Sequence, residues 1–450
     1  MTQTSQQPVD TSNRYPLSET QEFWCERAAV GSFGPRFLAT KGFRITGPVD
    51  VQALQGALDD VVRRHELLRT IVVHDVEPHY QQVYPPCPVP LEVRELSPND
   101  ERSRDQIAED LLTETEAGSL DVLKLPLLRA LFARFDDNDS VFTLMTHHSA
   151  CDGWSLHLIL RDLAACYAAR LTGTEPDLPP TVQYREYTAW QREQLQGSDM
   201  DALLQYWRDN LAGGGIFAMP TDRPVPKLHS RPYSELMFTI DAEVISELGR
   251  LAKQMRCSTF MIILATFDVF AHRLTGTVDP IILSILHGRS RPEFNDSVGS
   301  FLNLLPLRTD LDSCVSFRDV VLRNRMVCLE AFSHEVPLKY IEQEVPTIGD
   351  PLAEPYNSDF TFGFFQSPFD QKVFQLSGSM VEIRKANRAT PQNPGGVALS
   401  MAVRSTGELF GTFEHNLDEF DAETVANWIS DYRRLVATAV SQPDLPWREL

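Results

Sequence analysis

The sequence predicts an α/β (α+β) protein built from two lobes. Its 450 residues are too many for one compact core, because domains usually hold roughly 100–200 residues. Strand-like runs such as 281–286 and 397–403 alternate with amphipathic helices, and this mixture is typical of such folds. The proline-rich run at 175–180 interrupts regular structure. We therefore predict an N-terminal lobe of residues 1–178 and a C-terminal lobe of residues 179–450.

The elements of the N-terminal half lead toward a polar segment. Residues 49–73 are predicted to form a helix that runs into a strand, because Leu54 and Leu58 recur at helical spacing. Residues 127–135 and 141–145 are apolar runs of strand length. A long helix is predicted after residue 153, with a buried apolar stripe and an end at Gly173; the stripe consists of Leu156, Ile159, Leu160, Leu163, Tyr167 and Leu171.

The C-terminal half repeats the mixture of strands and helices. Strand-like runs lie at 281–286, 360–365, 397–403 and 409–414, and the last helix is predicted over 422–441.

Composition and charge exclude several classes of function. The chain is 42% hydrophobic and 23% charged, as in an ordinary soluble protein. A net charge of −21 disfavours nucleic acid and anionic membranes as partners, since both attract Lys and Arg. No apolar run approaches the roughly 20 residues that span a bilayer, and no signal segment begins the chain. We expect a cytoplasmic protein with free cysteines, because none of its seven cysteines forms a Cys-x-x-Cys pair.

The segment that carries chemistry is the His-His-Ser-Ala-Cys-Asp-Gly run at residues 147–153. It lies between a predicted strand and a predicted helix, where active sites are often built. Neighbouring strand residues point to opposite faces, so one of His147 and His148 should be buried and the other should face the reaction. A neutral histidine can take a proton and return it to a leaving group. Asp152 could hold the loop by a buried ion pair, and Gly153 could allow a tight turn.

A metal site is not expected in this segment. Two adjacent histidines and one aspartate make a poor ligand set, and no third ligand is evident from the spacing.

Five motifs in order make the chain resemble the condensation-domain family of nonribosomal peptide synthetases. They lie at 17–24, 64–70, 145–155, 184–190 and 298–308. The resemblance implies two chloramphenicol-acetyltransferase-like lobes that form a V-shaped pseudo-dimer with a central tunnel. It also implies that a carrier protein presents a phosphopantetheine thioester at one tunnel mouth while the acceptor enters at the other, with no cofactor bound.

The resemblance also assigns roles to residues of the motifs. It makes His148 the catalytic histidine and His147 the buried one. Asp152 becomes structural and pairs with an arginine, for which Arg289 is preferred and Arg64 is the alternative. The same likeness implies three residues that line the substrate tunnel, namely Trp154, Ser300 and, from the other lobe, Asn303.

The expected function is that of a free-standing condensation enzyme. It would transfer an aminoacyl or acyl group from a peptidyl carrier protein, met in trans, to the hydroxyl or amine of a small-molecule acceptor. The sequence departs from the family at Ala150-Cys151, where Ile-Ser is common, and at 333–338, where the sixth motif is faint. One alternative is an acyl-coenzyme A acyltransferase, but the Asp-Phe-Gly-Trp-Gly motif of those enzymes is absent. The other is a non-catalytic docking module, although such modules usually lose the histidine that is intact here.

Overall fold

The computed structural model describes most of the chain, and two compact units divide it. The described residues are 13–29, 37–97, 101–197, 199–225, 233–366, 376, 379–383, 396–403 and 407–450. The first unit comprises Met1–Leu195, Arg289–Phe301 and Gln371–Arg384, and the second comprises Gln196–Gly288, Leu302–Asp370 and Lys385–Leu450. The predicted division after residue 178 therefore falls inside the first unit, which also takes in two segments from later in the chain.

Strands and helices are numbered along the chain. The strands are β1 Arg14–Pro16, β2 Leu38–Thr46, β3 Thr70–Val73, β4 Tyr80–Val83, β5 Leu91–Glu95, β6 Leu128–Asp136, β7 Asp139–His147, β8 Ala218–Pro220, β9 Tyr233–Thr239, β10 Ile281–Leu286, β11 Asn303–Arg308, β12 Asn357–Gln366, β13 Ser379–Glu382, β14 Val397–Val403 and β15 Leu409–Asn416. The helices are α1 Glu19–Ala29, α2 Val51–Arg64, α3 Arg104–Glu116, α4 Gly153–Thr172, α5 Tyr184–Leu195, α6 Met200–Leu211, α7 Ala242–Met255, α8 Thr259–Thr275, α9 Phe317–Ser333, α10 Leu338–Glu344 and α11 Ala422–Ser441.

The first unit is built on a five-stranded sheet in the order β13-β2-β7-β6-β5. Only the β5–β6 pair is parallel. Strand β7 is central, and Val141, Phe142 and Leu144 are fully buried, which explains its nearly continuous apolar sequence. A separate three-stranded sheet, β1-β4-β3, also belongs to this unit.

Helix α4 follows β7 and forms as predicted. Asp152 caps its N-terminus by accepting a hydrogen bond from the Ser155 amide. Gly173 ends it with a φ of 69°, a left-handed conformation that favours glycine. Between these ends the predicted apolar stripe is buried from Leu156 to Tyr167, and the helix packs on α2. The prediction is wrong for Leu171, which is 49% exposed in the last turn of the helix.

The second unit contains a seven-stranded sheet. Its strand order is β11-β10-β12-β14-β15-β9, with β8 paired to β12. Helix α8 is buried from Met261 to Ala271 and packs with α9 and α11 in the hydrophobic core. The strands at 281–286 and 397–403 and the last helix have the predicted bounds, and the mixed α/β class is confirmed.

Within the described ranges, no single helix has both the length and the apolarity needed to cross a membrane. Helices α7 and α8 together meet that criterion, but the chain bends by 106° between them.

Candidate active site

The end of β7 presents the two histidines in different surroundings. His147 is the last residue of the strand and is 4% exposed. Its Nδ1 accepts a hydrogen bond from the Ser149 amide at 3.1 Å and lies 2.8 Å from the Ser149 hydroxyl. His148 has left the strand and keeps some exposure to solvent. The structure thus buries the histidine that the motif resemblance assigned to the interior.

The His148 ring has a defined orientation. Its Nδ1 lies 3.1 Å from the carbonyl oxygen of Cys151. A carbonyl can only accept, so Nδ1 carries the proton and donates it, and Nε2 is left with a lone pair. On one side the Phe37 ring lies 4.4 Å away between centroids, and the His148 amide donates to the Phe37 carbonyl at 3.0 Å. The ring is therefore held as an acceptor at Nε2.

Burial keeps this imidazole neutral. Burial, with a smaller contribution from the neighbouring His147, lowers the pKa of His148 to about 4. The hydrogen bond to Cys151 and the charge of Asp152 act in the opposite direction but do not offset the burial. At neutral pH the side chain is in its basic, unprotonated form.

Asp152 forms a buried ion pair with Arg289. Arg289 Nη1 donates to Asp152 Oδ2 at 2.8 Å, and Nη2 donates to Oδ1 at 3.2 Å. The arginine and aspartate side chains are 0% and 1% exposed. The Phe301 amide donates to the same carboxylate at 3.1 Å. Burial alone would raise the pKa of Asp152, but the charge and hydrogen bonds of Arg289 and the bonds from Ser155 lower it overall.

Ser155 and Gly299 complete this network. The Ser155 hydroxyl donates to the Gly299 carbonyl at 2.8 Å and accepts from Arg289 Nη2 at 2.7 Å. The Asp152 amide also donates to the Gly299 carbonyl at 3.0 Å. A Cβ at Gly299 would lie 2.1 Å from the Tyr184 ring, so only glycine allows this close approach. The third, fourth and fifth sequence motifs therefore meet here.

Arg64 is not the partner of Asp152, so that alternative is wrong. Its Nε donates to Asp162 Oδ2 at 2.7 Å, and His65 Nε2 lies 2.8 Å from the same oxygen. Arg161 Nε contacts the other oxygen at 2.7 Å. Arg64 thus serves a second buried ion cluster, which is centred on Asp162 further along α4.

Gly153 is not required for the backbone turn that the sequence suggested. It is the first residue of α4, it has no positive φ, and a Cβ placed on it would meet no atom within 4 Å. Trp154 follows it, and its indole donates to the Asn295 carbonyl at 2.9 Å. The start of α4 thus has open space at Gly153 beside an anchored tryptophan.

Ser300 and Asn303 have structural contacts in separate units. The Ser300 hydroxyl accepts from the Trp24 indole at 3.0 Å, and its carbonyl accepts from the Tyr184 hydroxyl at 2.6 Å. In the second unit, the Asn303 amide donates at 3.0 Å to the Glu335 carboxylate and to the Val336 carbonyl. Burial raises the pKa of Glu335, although the Asn303 bond opposes that rise.

Sequence reasoning missed Phe37, Ser155 and Asp162. Phe37 lies outside the motifs and gave no signal. Ser155 lies within the third motif, three residues after Asp152, and from this position a backbone amide commonly donates to the side chain that caps the helix. Asp162 could have been found, because a charged residue within the apolar stripe of α4 requires a buried partner.

The comparisons with known proteins identify the family. The sequence profile described as "Condensation domain" matches residues 11–450, and the chain belongs to this family. A linear gramicidin synthase of Brevibacillus parabrevis is 31% identical over 95% of this chain. Phosphinothricin tripeptide synthetase PhsC of Streptomyces viridochromogenes is 33% identical over 70% of this chain and 29% of its own length. The chain spans only 8% of the length of the gramicidin synthase.

Solved structures support the same assignment. SgcC5 from Streptomyces globisporus is 36% identical with a TM-score of 0.85, over 96% of this chain and 100% of that chain. That structure holds (R)-(-)-1-(2-naphthyl)-1,2-ethanediol and sucrose. The X-domain from teicoplanin biosynthesis, at 22% identity and a TM-score of 0.79 over 99% of both chains, shares the fold.

Proposed function

We propose that this protein transfers an aminoacyl or acyl group from the phosphopantetheine thioester of a carrier protein to the hydroxyl or amine of an acceptor. The observation that carries the proposal is the hydrogen bond from His148 Nδ1 to the Cys151 carbonyl, at 3.1 Å. It leaves Nε2 of a neutral imidazole free to accept a proton. This is the form of histidine that assists an attacking hydroxyl or amine.

The proposed reaction is direct. The acceptor oxygen or nitrogen attacks the thioester carbonyl while its proton passes to His148 Nε2. Collapse of the tetrahedral intermediate breaks the carbon–sulfur bond, and the proton returns from Nε2 to the departing thiolate. Asp152 and Arg289 do not exchange protons in this scheme, because both oxygens of the carboxylate are occupied by donors. They are positioning residues that fix the loop carrying His148.

The open space at Gly153 supports a route for substrate beside the site. Any larger residue at this position would place a side chain into that space. The family resemblance supports the proposal that three residues line the substrate tunnel, namely Trp154, Ser300 and Asn303. No bound cofactor is required, because the phosphopantetheine arm of the carrier brings the activated acyl group.

The proposed acceptor is a small molecule that carries a hydroxyl group. SgcC5 was solved with an aryl-substituted 1,2-diol, and its 36% identity makes a small free alcohol a reasonable acceptor for this chain as well. We therefore propose that ester formation is at least as favourable here as amide formation. An alcohol is a weak nucleophile, and a neutral histidine that removes its proton during attack compensates for that weakness.

The first experiment tests the role of His148. The His148→Ala variant should lose about 10²-fold or more in rate, the usual contribution of an acid–base group, while its melting curve stays near that of the wild type. His74→Ala, which removes an exposed histidine of the same unit, is the matched control and should keep full activity. A His148→Ala variant of near wild-type rate would exclude this histidine as the base.

The second experiment tests donor and acceptor. The enzyme is given one acyl group as a carrier thioester and as a coenzyme A thioester, with matched alcohol and amine acceptors that are free or carrier-bound. Mass spectrometry should detect ester from the carrier thioester and the free alcohol. Turnover only with the coenzyme A donor would favour an acyl-coenzyme A acyltransferase. Turnover only with a carrier-bound amine would refute the acceptor proposal, and no turnover with any pair would favour a docking module.

A further inference from the structure

Helix α9 carries apolar side chains on two faces. Its inner face is buried in the core of the second unit through Val320, Val321, Val327, Cys328 and Ala331. On its outer face Leu322, Met326 and Leu329 are 43%, 52% and 49% exposed. These three residues follow the i, i+4, i+7 spacing that forms one stripe along a helix. We call them the α9 stripe.

The α9 stripe has apolar neighbours at both ends. Val315, just before the helix, is 76% exposed, and Phe332, in its last turn, is 37% exposed. Single exposed apolar residues are normal, but an exposed apolar stripe along one face of a helix indicates an interaction surface.

Charges beside the α9 stripe are arranged symmetrically. Arg323 follows Leu322, and Glu330 follows Leu329, so the two charges flank the same side of the stripe at nearly equal distances from its centre at Met326. Both residues are exposed, and neither forms an ion pair within the parts of the chain that the structure describes. The helix itself carries three arginines and two acids, whereas the whole chain has a net charge of −21. This helix therefore does not share the acidic excess of the chain as a whole, which reduces repulsion between two copies that meet here.

We infer that the α9 stripe is a self-association surface, on which a second copy of this chain packs its own α9 in antiparallel orientation. A two-fold axis at Met326 places Leu322 of one copy against Leu329 of the other. The same axis places Arg323 of each copy against Glu330 of the other, so two ion pairs form, one on each side of the axis along the helices. Flanking charges of this kind set orientation and partner choice in paired helices. The interface is isologous, as in most two-fold dimers.

The dimer is expected to be weak. The stripe and its end residues form a patch far smaller than the roughly 20–30 residues per partner of a stable interface. Association should therefore depend on concentration and appear in the upper micromolar range.

Sedimentation velocity on the full chain tests the proposed dimer. Because small interfaces associate weakly, the measurement covers concentrations from about 5 to about 500 µM. The wild type should shift from monomer toward dimer. Arg323→Glu alone and Glu330→Arg alone should each weaken association by about 5-fold or more, since each reverses two symmetry-related pairs that are worth up to about 5-fold each. Glu109→Arg, an exposed charge reversal on α3 in the first unit, should leave association unchanged.

Mixing the two single variants is the decisive step. An Arg323→Glu copy offers two acids and a Glu330→Arg copy offers two arginines, so the antiparallel heterodimer recovers both ion pairs and should sediment as a dimer. A wild type that stays monomeric at the highest concentration would overturn the inference. Failure of the mixture to recover, or a Leu329→Glu variant that dimerises like the wild type, would overturn the antiparallel arrangement through the α9 stripe.

Discussion

The low pKa of His148 has a kinetic signature. Because burial lowers it to about 4 from the usual 6.5, the basic form persists when the pH falls below neutrality. With an alcohol acceptor, whose own proton does not titrate in this range, kcat/KM should stay level from pH 7 to about 5 and fall only near 4. Tryptophan fluorescence at each pH checks that the protein remains folded. An acid limb with an apparent pKa near 6.5 would contradict the buried setting of this ring.

Cys151 lies inside the motif but is not expected to act as a nucleophile. It is fully buried, and burial raises the pKa of its thiol well above the ordinary value. Its sulfur lies 3.2 Å from the Asp152 carbonyl, to which the thiol donates. A reactive cysteine needs the thiolate, so Cys151→Ala should keep most of the activity. Intact-protein mass spectrometry after incubation with donor should find no acyl adduct; a trapped acyl group on Cys151 would overturn the direct mechanism.

At the scale of elements, the start of α4 depends on one buried ion pair. Asp152→Ala would leave Arg289 buried without its carboxylate and would remove the helix cap. Breaking a buried pair costs about 3–5 kcal/mol, so the variant should melt at clearly lower temperature or be insoluble. Asp110→Ala, which breaks an exposed pair with Arg102, should cost no more than about 1 kcal/mol. A melting curve unchanged by Asp152→Ala would rule out the structural role.

Local patterns predicted the elements around the site well. The predicted start of α4 near residue 153 and its end at Gly173 agree with the structure. The two strands before it were recognisable because buried strands have nearly continuous apolar sequences. The alternation of side chains along a strand predicted that one of the two histidines would be buried, and the motif resemblance assigned that place to His147.

Contacts between distant parts of the chain could not be predicted in this way. Asp152 and Arg289 are 137 residues apart, and periodicity carries no information on such a pairing; the motif resemblance supplied the preferred partner. Phe37 reaches His148 only because β2 pairs with β7, with Leu38 opposite His147. The outer face of α9 also escaped notice, since an apolar stripe in sequence does not reveal which face the core covers.

At the scale of the whole molecule, the first unit is not a continuous stretch of chain. It requires Arg289–Phe301 and Gln371–Arg384 in addition to its first 195 residues. A fragment that ends at residue 195 lacks Arg289 and also lacks β13, which pairs with β2. We expect that fragment to be insoluble or to show no cooperative thermal transition by circular dichroism. A cooperative transition close to that of the full chain would show that the later segments are dispensable.

The interleaving of the two units bears on how proteins of this family can be recombined. A chimera made by a single crossover near residue 195 would join Asp152 of one parent to Arg289 of the other, and β2 of one parent to β13 of the other. The ion pair and the strand pair would then each combine residues from two different parents. An exchange that respects the folded units needs junctions on both sides of 289–301 and 371–384, so that three separate stretches of gene are inherited together.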